Sequence, residues 1–146
     1  MQVYPLAAEL PSMVLKSPFR EAADSPQRVK TIFRFCQMVL QNGRFGGNRL
    51  LSRKTVEQAS LPHLPVADGW FFSESSDFGL GFAVQYDTGT SRPGSPGTLR
   101  WGGVFNTTFF IDPKEQLIGI SMGQLFPGET EWEQRFQQLV YAAIDD

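Results

Sequence analysis

The stretch TLRWGGVFNTTFFIDPKEQLIGISMG, Thr98 to Gly123, restricts the fold more than any other part of the chain. Two mainly apolar runs, 105–112 and 116–123, flank Asp112-Pro113-Lys114-Glu115. Proline presets φ for a turn and Asp suits its first position, so this tetrapeptide predicts a tight reversal. A reversal that short joins only antiparallel neighbours. A third run, 98–103, precedes them. Further upstream Phe78, Leu80, Phe82, Val84 and Tyr86 alternate in part, as a half-buried strand does. The expectation is an antiparallel sheet of three to four strands.

Helices are expected on both sides of this sheet in the chain. Ser25-Pro26 is a helix start, with Ser as cap and Pro preset for the first turn. Val29, Ile32, Phe33, Cys36, Val39 and Leu40 then recur at helical spacing until Asn42-Gly43 ends the run. Arg44 to Leu51 reads as a turn-rich link, and Ser52 as the cap of a short helix over Arg53–Ala59. Near the end Thr130 and Glu133 form a capping box. The helix behind it should lay Trp132, Phe136, Leu139, Val140 and Ala143 across the sheet. Residues 1–24 hold Pro5, Pro11 and Pro18 and no sustained period, so they read as an irregular segment. The resulting class is α+β: an antiparallel sheet, a C-terminal helix packed on it and N-terminal helices, all within 25–146.

Composition narrows the function. A chain of 146 residues with 41% hydrophobic and 19% charged residues has material for one core, and thirteen Phe favour sheet and buried contacts. A net charge of −2 argues against nucleic acid or an anionic membrane as partner. No apolar run approaches the roughly 18 residues that cross a bilayer, and the first residues do not read as a signal peptide, which makes the cytoplasm the default location. Cys36 is alone and reads as a core residue; with one Cys and one His, no metal or cofactor is expected.

Four short signals could carry chemistry. Gly119-Ile120-Ser121-Met122-Gly123 matches the pattern of a nucleophile elbow, but its flanks read as strand, with no helix opening after Ser121. His63 precedes that Ser, the reverse of the hydrolase order, and sits in a loop of Leu and Pro. Asn106-Thr107-Thr108 fits a glycosylation sequon inside a predicted strand. Trp101-Gly102-Gly103 puts two glycines in a strand, where they suit a bulge, tight sheet packing or the close approach of a ligand beside the indole.

From Phe35 onward the chain resembles the C-terminal part of the serine β-lactamase-like family: class C β-lactamases, D-alanyl-D-alanine carboxypeptidases and related family VIII-type esterases. Three segments carry the resemblance: RFCQMVLQNGRFGGNRLLSRKTVEQA, FGLGFAVQYD and GTLRWGGVFNTTFFIDPKEQLIGISMGQ. It implies a partial β-lactamase/transpeptidase-like fold and acyl transfer to a serine, on a small ester or amide. Trp101, Gly102 and Gly103 align with the family's third motif in its esterase form, W-G-G, as substrate-binding residues. By the same resemblance the backbone N–H of Val104 would donate to the oxyanion.

The other two motifs are missing. Met13, Gln27, Leu51 and Ile111 stand three places before Lys16, Lys30, Lys54 and Lys114, so there is no S-x-x-K. Tyr4, Tyr86 and Tyr141 are followed two places on by Leu6, Thr88 and Ala143, so there is no Y-x-N. The expectation is a chain inactive alone, with one sheet edge and much of one face lacking the partners that the family's N-terminal region provides. It would then pair with a copy of itself, pair with a separate N-terminal fragment, or be poorly soluble. The alternative is a non-catalytic binding module that keeps the fold.

Overall fold

The computed structural model describes residues 26–64, 76–86, 92–126 and 130–144. The segment expected to be irregular, 1–24, lies outside them. The first helix, α1 (Pro26–Leu40), ends as its sequence requires. Asn42 and Gly43 take positive φ, and the Gly43 N–H donates to Met38 O at 2.8 Å. The link that follows contains a small hairpin, β1 (Arg44–Phe45) and β2 (Asn48–Arg49), turned through Gly46-Gly47. Helix α2 (Arg53–Ala59) is capped by Ser52, whose Oγ accepts from the Thr55 N–H at 2.9 Å, and it buries Val56.

The main sheet is fully antiparallel and has five strands in sequence order: β3 (Ser76–Phe78), β4 (Ala83–Gln85), β5 (Leu99–Gly103), β6 (Thr107–Asp112) and β7 (Leu117–Met122). The extra strand comes from the run expected as one strand over 78–86. Its alternation hides a hairpin: Phe78 pairs with Ala83, the Gly79 N–H donates to Phe82 O at 2.8 Å, and Gly81 at φ +94° lets the chain reverse. The Asp112–Glu115 reversal is as expected. Asp112 Oδ1 accepts from the Lys114 and Glu115 N–H groups at 3.0 and 3.2 Å, which holds the turn between β6 and β7.

Register sorts the sheet into two faces. Val84, Leu99, Phe109, Ile111 and Ile118 share one face and pack with Ile32, Cys36 and Val39 of α1. Arg100, Thr108, Phe110, Asp112 and Ser121 share the other, under the C-terminal helix α3 (Thr130–Tyr141). The described residues thus form three layers, helix–sheet–helix.

Helix α3 rests on part of its expected face: Phe136 and Val140 turn to the sheet and Trp132 Nε1 donates to Ser121 Oγ at 3.2 Å, whereas Leu139 is 71% exposed and Ala143 is exposed. The face toward the sheet is Glu133, Phe136, Gln137, Val140 and Tyr141, also at three- and four-residue spacing. Polar anchors rotate the helix to it. Near one end Glu133 Oε1 accepts from Arg100 Nη1 at 3.1 Å; at the other the Tyr141 hydroxyl donates to Asp112 Oδ2 at 2.6 Å. Between them the Phe110 ring lies 6.0 Å from Phe136 and stacks on Tyr141 at 5.5 Å. Glu133 is thus spent on an ion pair across the layers, and the side chain of Thr130, the other half of the expected capping box, lies outside the described residues.

Candidate functional site

Trp101, Gly102 and Gly103 form the end of β5. β6 pairs with all five residues of that strand, whereas β4 pairs only with Leu99 and Arg100. β4 begins late because the chain before it is folded into the Gly79–Phe82 reversal. The end of β5 therefore overhangs β4, and no described strand flanks it on that side.

Two hydrogen bonds determine which backbone groups face this gap. The Gln85 N–H donates to Thr98 O at 2.9 Å, so the Thr98 carbonyl points toward β4. The Asn106 N–H donates to Gly103 O at 3.1 Å, so the Gly103 carbonyl points toward β6. Direction alternates along a strand, which turns the N–H and C=O of Gly102 to the gap. In a trans peptide the N–H opposes the carbonyl, so the Val104 N–H points into the gap as well.

Val104 itself opens the loop 104–106 and is 62% exposed. The strand expected from residue 105 starts only at Thr107, because Asn106 adopts the left-handed conformation at φ +61° and closes a three-residue hairpin loop. The sequon asparagine thus lies at a loop corner rather than in a strand, and its carbonyl accepts the Gly123 N–H at 3.1 Å. The glycine pair serves the same hairpin: a Cβ on Gly103 would strike Thr107 Oγ1, and one on Gly102 would lie 3.2 Å from Thr107 O.

The Trp101 side chain stands on the α1 face, 40% exposed, with its ring 5.2 Å from Phe78 at 60°. Phe109 is its register partner on β6 and meets Phe82 and Phe35 edge-on at 6.3 and 6.5 Å. An aromatic wall thus backs the gap that the Gly102 and Val104 amides face. The four sequence-predicted site residues are consecutive, three of them at the end of β5 and Val104 in the loop that follows.

The structure does not join the rival signals to them. Ser121 lies within β7 opposite Thr108, and its Oγ accepts from Trp132 Nε1 at 3.2 Å. Both glycines of G-I-S-M-G have packing reasons. Gly119 lies under the Phe110 ring, and a Cβ on Gly123 would come 2.6 Å from Asn106 O. His63 sits beyond the opposite edge: its N–H donates to Phe78 O at 2.9 Å, and Nε2 lies 2.6 Å from Gln58 O. Four strand spacings, about 19 Å, separate β3 from β7. Cys36 is fully buried, and burial pushes its thiol up to about 12. Among the described residues no three His, Cys, Asp or Glu side chains converge as a metal site, and no helix is long and apolar enough to cross a membrane.

Sequence reasoning missed the polar layer beneath α3. Asp112 is fully buried and, besides its own turn, accepts from Tyr141 and from the Ser95 N–H at 2.9 Å. Burial drives its carboxyl up, but the hydrogen bonds from Tyr141 and the backbone outweigh that and hold it below the ordinary value. Burial, and then the bond to Asp112, push the Tyr141 phenol up. Arg100 is buried, and Arg92 Nη1 lies 3.4 Å from the same Glu133 oxygen without hydrogen-bond geometry. Asp112 was legible as a turn residue; its distant partners had no local signal.

No family model matches the chain, and no curated protein sequence matches it. Solved structures do. EstCE1, a hydrolase with promiscuous acyltransferase activity, superposes on 70% of the chain at 26% identity and a TM-score of 0.59. Unliganded simvastatin synthase LovD from Aspergillus terreus covers 77% at 20% identity and a TM-score of 0.57, and its LovD6 mutant covers 74% at 22% and 0.56. At that identity the LovD structures speak for the fold alone. The chain spans 27% of EstCE1 and 31–32% of the LovD chains.

Proposed function

From a chain that carries part of the β-lactamase-like fold of family VIII esterases, we propose that it forms the sheet side of an acyl-transfer cleft of a serine hydrolase, its C-terminal part. The observation that carries this reading is the overhang of β5, where the Val104 N–H turns to the side that no described strand flanks, next to Trp101 in the chain. An ester or amide carbonyl placed there would receive one hydrogen bond as its oxygen turns anionic. Loss of one such donor costs about 100- to 1,000-fold in rate. Gly102 would let the acyl group lie along the strand, and Trp101 would form a side wall. The attacking hydroxyl and its amine base would come from elsewhere, since the sequence holds no S-x-x-K.

The test is hydrolysis of p-nitrophenyl esters and a chromogenic cephalosporin by the purified chain, alone and with the part of EstCE1 that it does not span supplied separately. No turnover alone and turnover on mixing are expected. Val104→Pro deletes the one N–H at a turn position where proline fits, and should lower the restored rate about 100- to 1,000-fold. Turnover by the chain alone, or an unchanged rate in the variant, would refute the reading. Tight binding of an acyl compound, with none hydrolysed even on mixing, would favour the binding-module alternative.

A further inference from the structure

The net charge of −2 conceals a segregation. Residues 26–56 hold seven Lys and Arg and no Asp or Glu, while the rest of the chain holds the other six against all fifteen acids. All seven are exposed. Whole-chain charge therefore does not describe the surface that this segment presents, and such asymmetry points to an anionic partner.

The densest part follows α1. Arg44 and Arg49 are register partners in the β1–β2 hairpin, so their side chains leave the same face. Like charges directly opposite weaken a hairpin. Among the described residues no carboxylate pairs with either. Arg49 Nη1 donates instead to the carbonyls of Leu51 at 3.1 Å and Asn42 at 3.5 Å. Arg53 and Lys54 then open α2 and share one acid, Glu57. Between these pairs stand Leu50 and Leu51, 62% and 40% exposed. Their N–H groups both donate to Gly43 O, at 2.8 and 3.1 Å, which fixes them against the end of α1.

We propose that Arg44, Arg49, Arg53 and Lys54, around Leu50 and Leu51, form a docking surface for an anionic lipid bilayer. The proposal does not depend on the acyl-transfer reading. The cations attract the phosphate headgroups, and the leucines between them enter the boundary with the acyl chains. Lys30 and Arg34, one turn apart on the exposed side of α1, extend the same positive potential. The leucines favour lipid over nucleic acid. A phosphate backbone gives them nothing to bury against, and no aromatic residue that could stack on a base lies between Gly46 and Leu61. Residues 1–25, with three acids and two bases, carry too little negative charge to neutralise seven cations. The acids of the remaining chain are repelled by the bilayer, so they orient this segment toward it.

Flotation of the purified full chain with vesicles tests this, because aggregated protein sinks and only bound protein rises. The chain should float with vesicles of equal parts phosphatidylglycerol and phosphatidylcholine, stay behind with phosphatidylcholine alone, and detach as salt is raised. Each cation near such a surface is worth about fivefold in binding. The double variant Arg44→Gln/Arg49→Gln should therefore weaken binding about 25-fold, and Leu50→Ser about 10-fold. Lys114→Gln, which removes an exposed charge outside the segment, should leave binding unchanged. No flotation with the anionic vesicles, equal flotation with phosphatidylcholine alone, or indifference to the double variant would overturn the proposal. Release by inorganic phosphate but not by chloride at the same ionic strength would assign the site to free phosphate instead. Tighter binding of a single-stranded oligonucleotide, lost in the double variant, would overturn lipid as the partner.

Discussion

Gly119→Ala tests whether the glycines of G-I-S-M-G serve packing or chemistry. The glycine has no positive φ, so alanine suits its backbone and would, on entropy alone, stabilise by about 0.4–1 kcal/mol. Sterics oppose this. A Cβ built there stands 2.5 Å from Phe110 Cζ and 2.8 Å from Cδ1, and closer still to Cε1. Ordinary carbon contacts need about 3.5–4.0 Å, so the ring must retreat by more than 1 Å. Phe110 is 3% exposed and held between Phe136 and Tyr141. Overpacking of this kind costs about 1–3 kcal/mol, and each disturbed aromatic pair about 0.5–1.5 more. Against the small entropic gain, a net loss of about 2–3 kcal/mol is expected. For a domain of this size that lowers Tm on the order of 10 °C. Thermal unfolding followed by near-UV circular dichroism measures it, in the original background and with Phe110→Ala. The cost should largely vanish once the ring is gone. Equal stability of Gly119→Ala and the original chain, or an undiminished cost without the ring, would refute the packing account.

The Asp112–Tyr141 pair predicts a pH dependence. Asp112 titrates below its ordinary value in the fold, so the unfolded chain binds the extra proton and stability falls as pH drops below about 4. Tyr141 titrates above its ordinary value, so its share is intact below about pH 10 and lost above it. Tyr141→Phe should cost about 1.5–3 kcal/mol at neutral pH and flatten both arms in denaturant melts across the pH range. Cys36 should resist a thiol-specific disulfide reagent at pH 8 and react at once in denaturant; rapid labelling of the folded chain would contradict its place in the core. Gln137 is fully buried, and among the described residues neither of its amide atoms has a hydrogen-bond partner. Gln137→Met should therefore raise stability by about 1–2 kcal/mol in the same melts.

Much of the architecture follows from local chemistry alone. The reversal at Asp112-Pro113 depends on residues within it, as do the ends of α1 at Asn42-Gly43 and the Ser52 cap of α2. Such signals act over one to four residues, so they survive being read in order. The W-G-G glycine pair was legible as unusual in a strand, and the resemblance made it an expected substrate-facing segment; its overhang beyond β4 emerged only from the register. Two adjacent alternating segments are less distinct. The Phe78–Tyr86 hairpin looks like one strand because its turn depends on Gly81 reaching positive φ, a choice any glycine can make or decline.

What only the tertiary structure decided is which of several equivalent local choices the rest of the chain selects. Helix α3 offered one apolar stripe through Phe136 and Val140, and Arg100 and Asp112, distant in sequence, decide that Glu133 and Tyr141 flank it against the sheet while Leu139 is left exposed. The flanks of Gly119 already read as strand, but that Phe110 lies over it from the neighbouring strand emerged only from the fold. The direction of the Val104 N–H likewise depends on where β4 stops and on how Asn106 closes the loop. The buried charges of Arg100 and Asp112 are stabilised because partners converge on them, and convergence is a property of the packed layers rather than of any one segment.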